Sequence, residues 1–269
     1  MNILAIDTCT EIASVTLLNS GESYSRELFG IEKTSGHVLK LCNEVFKESQ
    51  TKLKDVDLIS YSRGPGSFTG VRMCIGVVQG LSLSMEIPTM GFTTLELVGF
   101  GASQLLKSKK IAVALDARMG EVYWATYIDG LMDNMKICAP EEVDILDTSF
   151  IGVGSGWRAY SEKLKFASNI SDIDLTIKPE SSALIELSLR AMNTGLKGTL
   201  ELPKPIYLRN NVAKKSLKYT LYYHCINLCG NGFKNRPPQK FFIRHVIDSS
   251  HGSFGHLLLY LWSVCIGLL

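Results

Sequence analysis

The sequence has 269 residues, enough for one large domain or two modest ones with a substantial core. Its 28 Lys+Arg against 26 Asp+Glu leave a formal net charge of +2 with His neutral, which argues against nucleic-acid binding through bulk charge alone. A composition 20% charged and 46% apolar excludes disordered and collagen-like chains.

Asn2-Ile-Leu-Ala-Ile6 reads as a short buried strand ending at Asp7, with no basic and apolar leader ahead of it, so no secretory signal is expected. Ala13 to Leu18 and Glu22 to Leu28 flank Asn19-Ser-Gly21, turn residues that suit a β-hairpin. From His37 to Glu48, Val38, Leu41, Cys42, Val45 and Phe46 fall at helical spacing. Leu58 to Ser62 reads as another strand, closed by Gly64-Pro-Gly66. A second helix carries Val71, Cys74, Ile75, Val78, Leu81 and Met85, with Ser67 or Thr69 as N-cap and Pro88 as its stop.

The second half begins like the first. Lys110 to Ala117 is a strand containing Asp116, and Glu121 to Ile128 pairs back across Arg118-Met-Gly120. Phe150 to Val153 is a short buried strand emptying into Gly154-Ser-Gly156 and a helix from about Arg158 to Phe166. A further helix, about Ser181 to Asn193, ends with Gly195 as its C′ residue. Two similar α/β halves therefore lie side by side.

Composition breaks near residue 215. Residues 1–215 hold 23 Lys+Arg and 25 Asp+Glu, whereas the last 54 hold five basic residues and one acidic residue, Asp248. Those 54 also carry four of the five His and 9 of the 24 aromatics, with no sustained period. Leu257 to Leu269 is nearly all apolar but only 13 residues long, against the ~20 that a membrane span needs. Read-through or out-of-frame translation is one expectation for this stretch, and a lineage-specific tail is the other. The seven cysteines, an odd number without CxxC pairs, fit a reducing cytosol better than a disulfide framework.

Several groups could carry chemistry. Asp7-Thr8-Cys9-Thr10 sits at the end of a strand, where an Asp holds a metal-bound water and hydroxyls cradle a phosphate, or where an Asp simply caps its own turn. Cys9 occupies a place where phosphate-binding turns want glycine. Gly64-Pro65-Gly66-Ser67-Phe68-Thr69-Gly70-Val71-Arg72 feeds a helix N-terminus, either an anion site or a tight turn that sets the helix entry angle. It is not a P-loop, because Val71-Arg72 stand where Lys-Ser/Thr is required. Gly76 and Gly80, four apart, lower one ridge of that helix and let another backbone come close. No metal site is expected: Cys225 and Cys229, His251 and His256, and His245 are too loosely spaced. His37, the single His before residue 215, reads as a helix cap. The absence of a Ser/His/Asp set there weighs against a hydrolase.

The nine-residue loop Gly64–Arg72, the opening Ile-Asp-Thr, the stretch Leu115–Tyr123 and Pro205–Ala213 together resemble the TsaB (YeaZ) family. The resemblance covers residues 1 to about 215. It implies two duplicated α/β subdomains of the actin/Hsp70 (ASKHA) type, 1–104 and 105–215, with 216–269 as an atypical tail. It further implies a non-catalytic scaffold for the formation of N6-threonylcarbamoyladenosine in tRNAs reading ANN codons. In that role the chain binds and stabilises a TsaD-like paralogue that does the chemistry, with a TsaE-like ATPase joining the assembly. Self-pairing as a homodimer uses the same face, tRNA is met only through the complex, and the setting is the cytoplasm without membrane. The implied interface is the stripe Val38, Leu41, Val45, Val71, Ile75, Gly76, Val78 and Gly80, so that Ile75→Glu or Val78→Glu is expected to weaken partner binding. Gly64, Pro65, Gly66, Ser67, Thr69 and Gly70 form a structural loop. There is no firm cofactor; ATP or ADP at the complex interface is the candidate. The competing reading is an ATP-hydrolysing enzyme or kinase holding Mg-ATP with Asp7, Thr8, Gly154 and Gly156.

Overall fold

The computed structural model describes residues 1–30 and 37–209. The composition-shifted tail, with Cys225, Cys229, His245, His251 and His256, lies outside the described residues.

The first sheet is built from β1 (Ile3–Asp7), β2 (Ile12–Asn19), β3 (Glu22–Phe29), β4 (Leu58–Ser62) and β5 (Thr89–Phe92), in the order β3-β2-β1-β4-β5. β1, β2 and β3 form an antiparallel meander, while β1, β4 and β5 run parallel. The second sheet repeats this plan with β6 (Lys110–Arg118), β7 (Glu121–Ile128), β8 (Leu131–Cys138), β9 (Ile151–Val153) and β10 (Ile173–Asp174), in the order β10-β9-β6-β7-β8. Again three strands are antiparallel and three are parallel. The expected duplicated α/β fold is therefore present, with one plan used twice.

Strand periodicity sorts the core into layers. In β1, Leu4 and Ile6 face one way, into a cluster with α1 (Val38–Glu48) and α2 (Phe68–Met85). Ile3 and Ala5 face the other way, onto Leu184 and Ile185 of α5 (Ser181–Asn193). In β6, Ile111, Val113 and Leu115 meet α3 (Thr94–Leu106), while Ala112 and Ala114 meet Trp157 and Leu164 of α4 (Ser155–Ser168). Strands buried on both faces read as near-continuous apolar runs, which is why β1 and β6 are legible in the sequence.

The helices between the sheets are exchanged. Helix α3 follows β5, and its last residues straddle the boundary expected near residue 104, yet it packs on β6 and β7. Helix α5 follows the second sheet and returns to cover β1, β2 and β4. A seam of small hydroxyls lets α5 sit close. Ser14 Oγ accepts from Ser181 N–H at 3.0 Å, and the hydroxyls of Ser60 and Ser188 lie 2.8 Å apart. Helix α3 was not expected from the sequence because apolar residues occur around most of it: Leu95, Leu97, Val98, Phe100 and Ala102 are all buried. A helix covered on several sides loses the one-sided stripe by which it is recognised.

The helix ends follow local chemistry. Ser67 caps α2, its Oγ accepting from Gly70 N–H at 3.3 Å. Thr93 and Glu96 form a capping box at the start of α3. Gly195 follows the last turn of α5 with φ +91°, and Leu196 N–H reaches Ala191 O at 3.0 Å. His37 occupies the N-cap position of α1, but its side chain makes no capping bond. Helix α4 starts at Ser155, earlier than expected, because Gly154 serves as its N-cap.

Candidate functional site

The carboxyl ends of β1 and β4 meet the loop that runs from Gly64 to Gly70. Open α/β sheets usually place a ligand at such strand ends. Here the chain's own loop takes that place. Ser67 N–H bonds Cys9 O at 2.7 Å, and Thr8 Oγ1 donates to Gly70 O at 2.7 Å. The approach is so close that a Cβ on Gly66 would stand 2.1 Å from Cys9 O, and one on Gly70 2.0 Å from Thr8 O. Gly64, with φ +92°, takes a left-handed conformation against Ile206 O and Val71. Gly64, Pro65, Gly66, Ser67 and Gly70 thus build a plug over the strand-end turn. Thr69 points to solvent in the first turn of α2.

Beneath the plug, Asp7 and Thr8 are buried. Asp7 Oδ1 accepts from Cys9 N–H at 3.0 Å and from Ser62 Oγ, while Oδ2 has no partner among the described residues. Burial pushes the Asp7 carboxyl above its usual 3.8, and the bonds from Ser62 and Cys9 offset part of that shift. A carboxyl raised by folding favours the folded state when protonated, and that contribution fades as pH climbs through the raised value. We therefore expect wild type to lose stability relative to Asp7→Asn as pH rises from 3.8 toward neutrality. Denaturant melts of both proteins across that range check this; parallel pH curves would contradict it.

The second half has its own version of this arrangement. Gly154, at φ +104°, and Gly156 lie against Ala114 of β6, where a Cβ would come within 2.5 and 2.9 Å of its backbone. Asp116, the counterpart of Asp7, donates its N–H to Ser155 Oγ at 3.1 Å and accepts from Arg118 N–H at 2.8 Å. Gly154 and Gly156 therefore serve helix-to-strand packing. The expectation that Asp7, Thr8, Gly154 and Gly156 hold Mg-ATP does not fit: Asp7 and Thr8 are sealed, and the glycines are in contact with β6 backbone.

The interface stripe is also corrected. Val38, Leu41 and Val45 of α1 and Val71, Ile75 and Val78 of α2 all face inward, into the cluster that covers the first sheet. Their apolar periodicity marks this chain's own core. Ile75→Glu and Val78→Glu would place a charge in that core, so we expect loss of folding by several kcal/mol and not selective loss of docking. Circular dichroism melts separate the two outcomes.

Gly76 and Gly80 are the exceptions. Both are exposed, and a Cβ at either would meet nothing within 4 Å among the described residues. They belong to an outward row, Phe68, Arg72, Gly76 and Gly80, flanked by Leu83 and Met85. Phe68 is 61% and Leu83 64% exposed, and Leu39 of α1 is also exposed. Arg72 stacks over the Phe68 ring at 3.3 Å and lies 5.2 Å from the Tyr207 ring. Along one flank runs the segment 199–209, fixed by Gln79 Nε2 to Pro203 O at 2.9 Å and Ile206 N–H to Arg63 O at 2.8 Å. Arg209 then reaches the β6–β7 turn, bonding Ala117 O at 3.1 Å and pairing with Glu121. Helix α2 is also long and apolar enough, with mean hydropathy 1.2, to cross a membrane by length and composition. Its inner face is part of the core described above.

The outer residues Phe68, Leu83 and Leu39 were missed in the sequence, as was Ser62 under the plug. Steps of four from Phe68 through Gly80 carry the signal for the outer row, but they mix an aromatic, a cation and two glycines. Apolarity alone does not reveal it.

A family model described as "TsaD: tRNA N6-adenosine threonylcarbamoyltransferase" matches residues 32–217. The tRNA threonylcarbamoyladenosine biosynthesis protein TsaB of Escherichia coli (strain K12) is 36% identical over 228 residues, covering 81% of this chain and 98% of that protein. The protein of the same description from Haemophilus influenzae is 30% identical over 233 residues, covering 81% and 97%. Among solved structures, YeaZ from Pseudomonas aeruginosa is similar with a TM-score of 0.69 at 32% identity, over 77% of this chain and 99% of that one. Matched across nearly the whole of these relatives and carrying the doubled sheet plan, the chain belongs to the TsaB (YeaZ) family.

Proposed function

We propose that this chain takes part in the biosynthesis of N6-threonylcarbamoyladenosine in tRNAs reading ANN codons, as a non-catalytic scaffold for a TsaD-like paralogue. It docks through the outer face of α2, stabilises the active form of the paralogue and leaves the transfer step to it. A TsaE-like ATPase joins the assembly, the setting is the cytoplasm, and the same face serves self-pairing when the paralogue is absent. The relatives' names place them in this biosynthesis, and the family model bears the transferase's description.

The observation that carries the docking role is the pair Gly76 and Gly80. A glycine inside an exposed helix costs about 0.5–1 kcal/mol against alanine, and packing among the described residues gives no reason for either one. A backbone or ridge approaching from outside supplies the reason. The sealed Asp7 turn supports the non-catalytic part of the reading, since it leaves no room for a phosphate. Co-purification of the full chain with its TsaD-like paralogue tests the proposal. A folded Gly76→Gln, Gly80→Gln variant is expected to lose the complex, and undiminished co-purification would count against it.

A further inference from the structure

Away from α2, at the C-terminal end of α3, lies a concavity of about 260 Å³ lined by Ser103, Gln104, Lys107, Lys109, Asp129 and Arg190, among others. Three of these side chains are cations and one is a carboxylate. Asp129 is already paired with Lys109 at 3.1 Å. Lys107 and Arg190 make no ion pair among the described residues. The C-terminus of α3 offsets about half a charge. At least one full positive charge is therefore left over in the hollow.

The arrangement is partly preorganised. Arg190 lies over the Phe100 ring at 4.5 Å and donates to Gln104 Oε1 at 3.3 Å, which fixes the plane of its guanidinium. Lys107 is held by a left-handed backbone at the helix end, φ +50°. Pockets that take a whole small-molecule ligand usually measure about 300–1,000 Å³ and are mostly apolar. This one is smaller and polar, and its leftover positive charge suits an anionic group at its rim.

We propose that this hollow is a contact for the phosphate backbone of RNA, made by this chain when the assembly holds its tRNA. The choice of RNA as the polyanion rests on the function proposed above. The contact is independent of base sequence: Lys107 and Arg190 position a strand, and each phosphate they neutralise releases counterions. The chain's overall charge balance is no obstacle, since the leftover charge is concentrated in one place.

The test measures binding of an unmodified tRNA transcript to the full chain, alone and mixed with its TsaD-like paralogue, over a range of salt concentrations. Lys107→Gln with Arg190→Gln is expected to weaken binding about tenfold at moderate salt and to flatten the salt slope by about 2. Both residues are exposed, so folding should be retained, and a melt checks this. If the double variant misfolds, Lys107→Gln alone should flatten the slope by about 1. Equal affinity and equal slope for wild type and variant, in both settings, would overturn the proposal whether or not the complex assembles. A variant that loses the paralogue but keeps its tRNA affinity would also overturn it, showing an acidic protein surface as the occupant. Failure of the wild-type complex to form, with a tRNA difference still present, sinks the docking role and leaves this contact standing.

Discussion

Gly66→Ala and Gly70→Ala are expected to be the most damaging alanine substitutions among the described glycines. Each would drive a Cβ to about 2 Å from a backbone oxygen, at Cys9 for Gly66 and at Thr8 for Gly70. Backbone cannot swing aside as a flexible side chain can. The loop must lift, and with it go the bonds from Ser67 N–H to Cys9 O and from Thr8 Oγ1 to Gly70 O. Overpacking alone costs about 1–3 kcal/mol, and each lost hydrogen bond adds about 1 more. Lifting the plug also lets water reach Asp7, whose Oδ2 has no partner among the described residues. At about 2–4 °C per kcal/mol for a folded unit of this size, the expected result is a melting temperature lower by about 6–20 °C, or protein recovered only as aggregate. A thermal melt of either variant within two degrees of wild type would show that the plug is not held as described.

Gly76 and Gly80 should respond in the opposite sense. Replacing both with Ala adds helix propensity where no described atom stands in the way, and the isolated chain should gain about 1–2 kcal/mol. Replacing both with Gln keeps the surface polar while filling the notch with longer side chains. Binding to the TsaD-like paralogue should fall at least tenfold for the Gln pair, because a backbone that approached the bare ridge no longer can. The combination of outcomes is informative. A stability gain with a binding loss marks residues kept for a partner; a stability loss would mean the glycines serve this chain's own fold. Denaturant titration and a binding isotherm on the same preparations give both numbers.

Much of the fold was legible because burial writes itself into sequence at a fixed period. β1 and β6 carry short apolar runs, and the hairpin turn at Asn19-Ser-Gly21 closes β2 on β3. The duplicated plan followed from strand, acidic residue, turn and strand occurring twice. The edge strand β8 was not legible because its exposed and half-buried residues follow no strict alternation. Helix α3 was hidden by being covered on several sides.

The site was legible only in part. The glycine loop stood out in the sequence, but nothing local shows that it lies on Thr8 and Cys9, some sixty residues earlier. The stripe Val38, Leu41, Val45, Val71, Ile75 and Val78 misled for a simple reason. A regular apolar stripe marks whatever surface is buried most constantly, which here is the chain's own core. The face left open is read better from what its own fold does not require: bare glycines, an exposed Phe68 and Leu83, and an arginine lying across two aromatic rings.

Hydroxyl-radical footprinting of the full chain, free and mixed with its TsaD-like paralogue, addresses the docking face most directly. Phe68, Leu83 and Met85 are exposed in the chain by itself and should be oxidised readily. On complex formation all three should become protected, while Phe166, the most exposed of the described phenylalanines and far along the chain on α4, should react as before. Protection at Phe166 with continued oxidation of Phe68, Leu83 and Met85 would place the partner elsewhere and contradict the account.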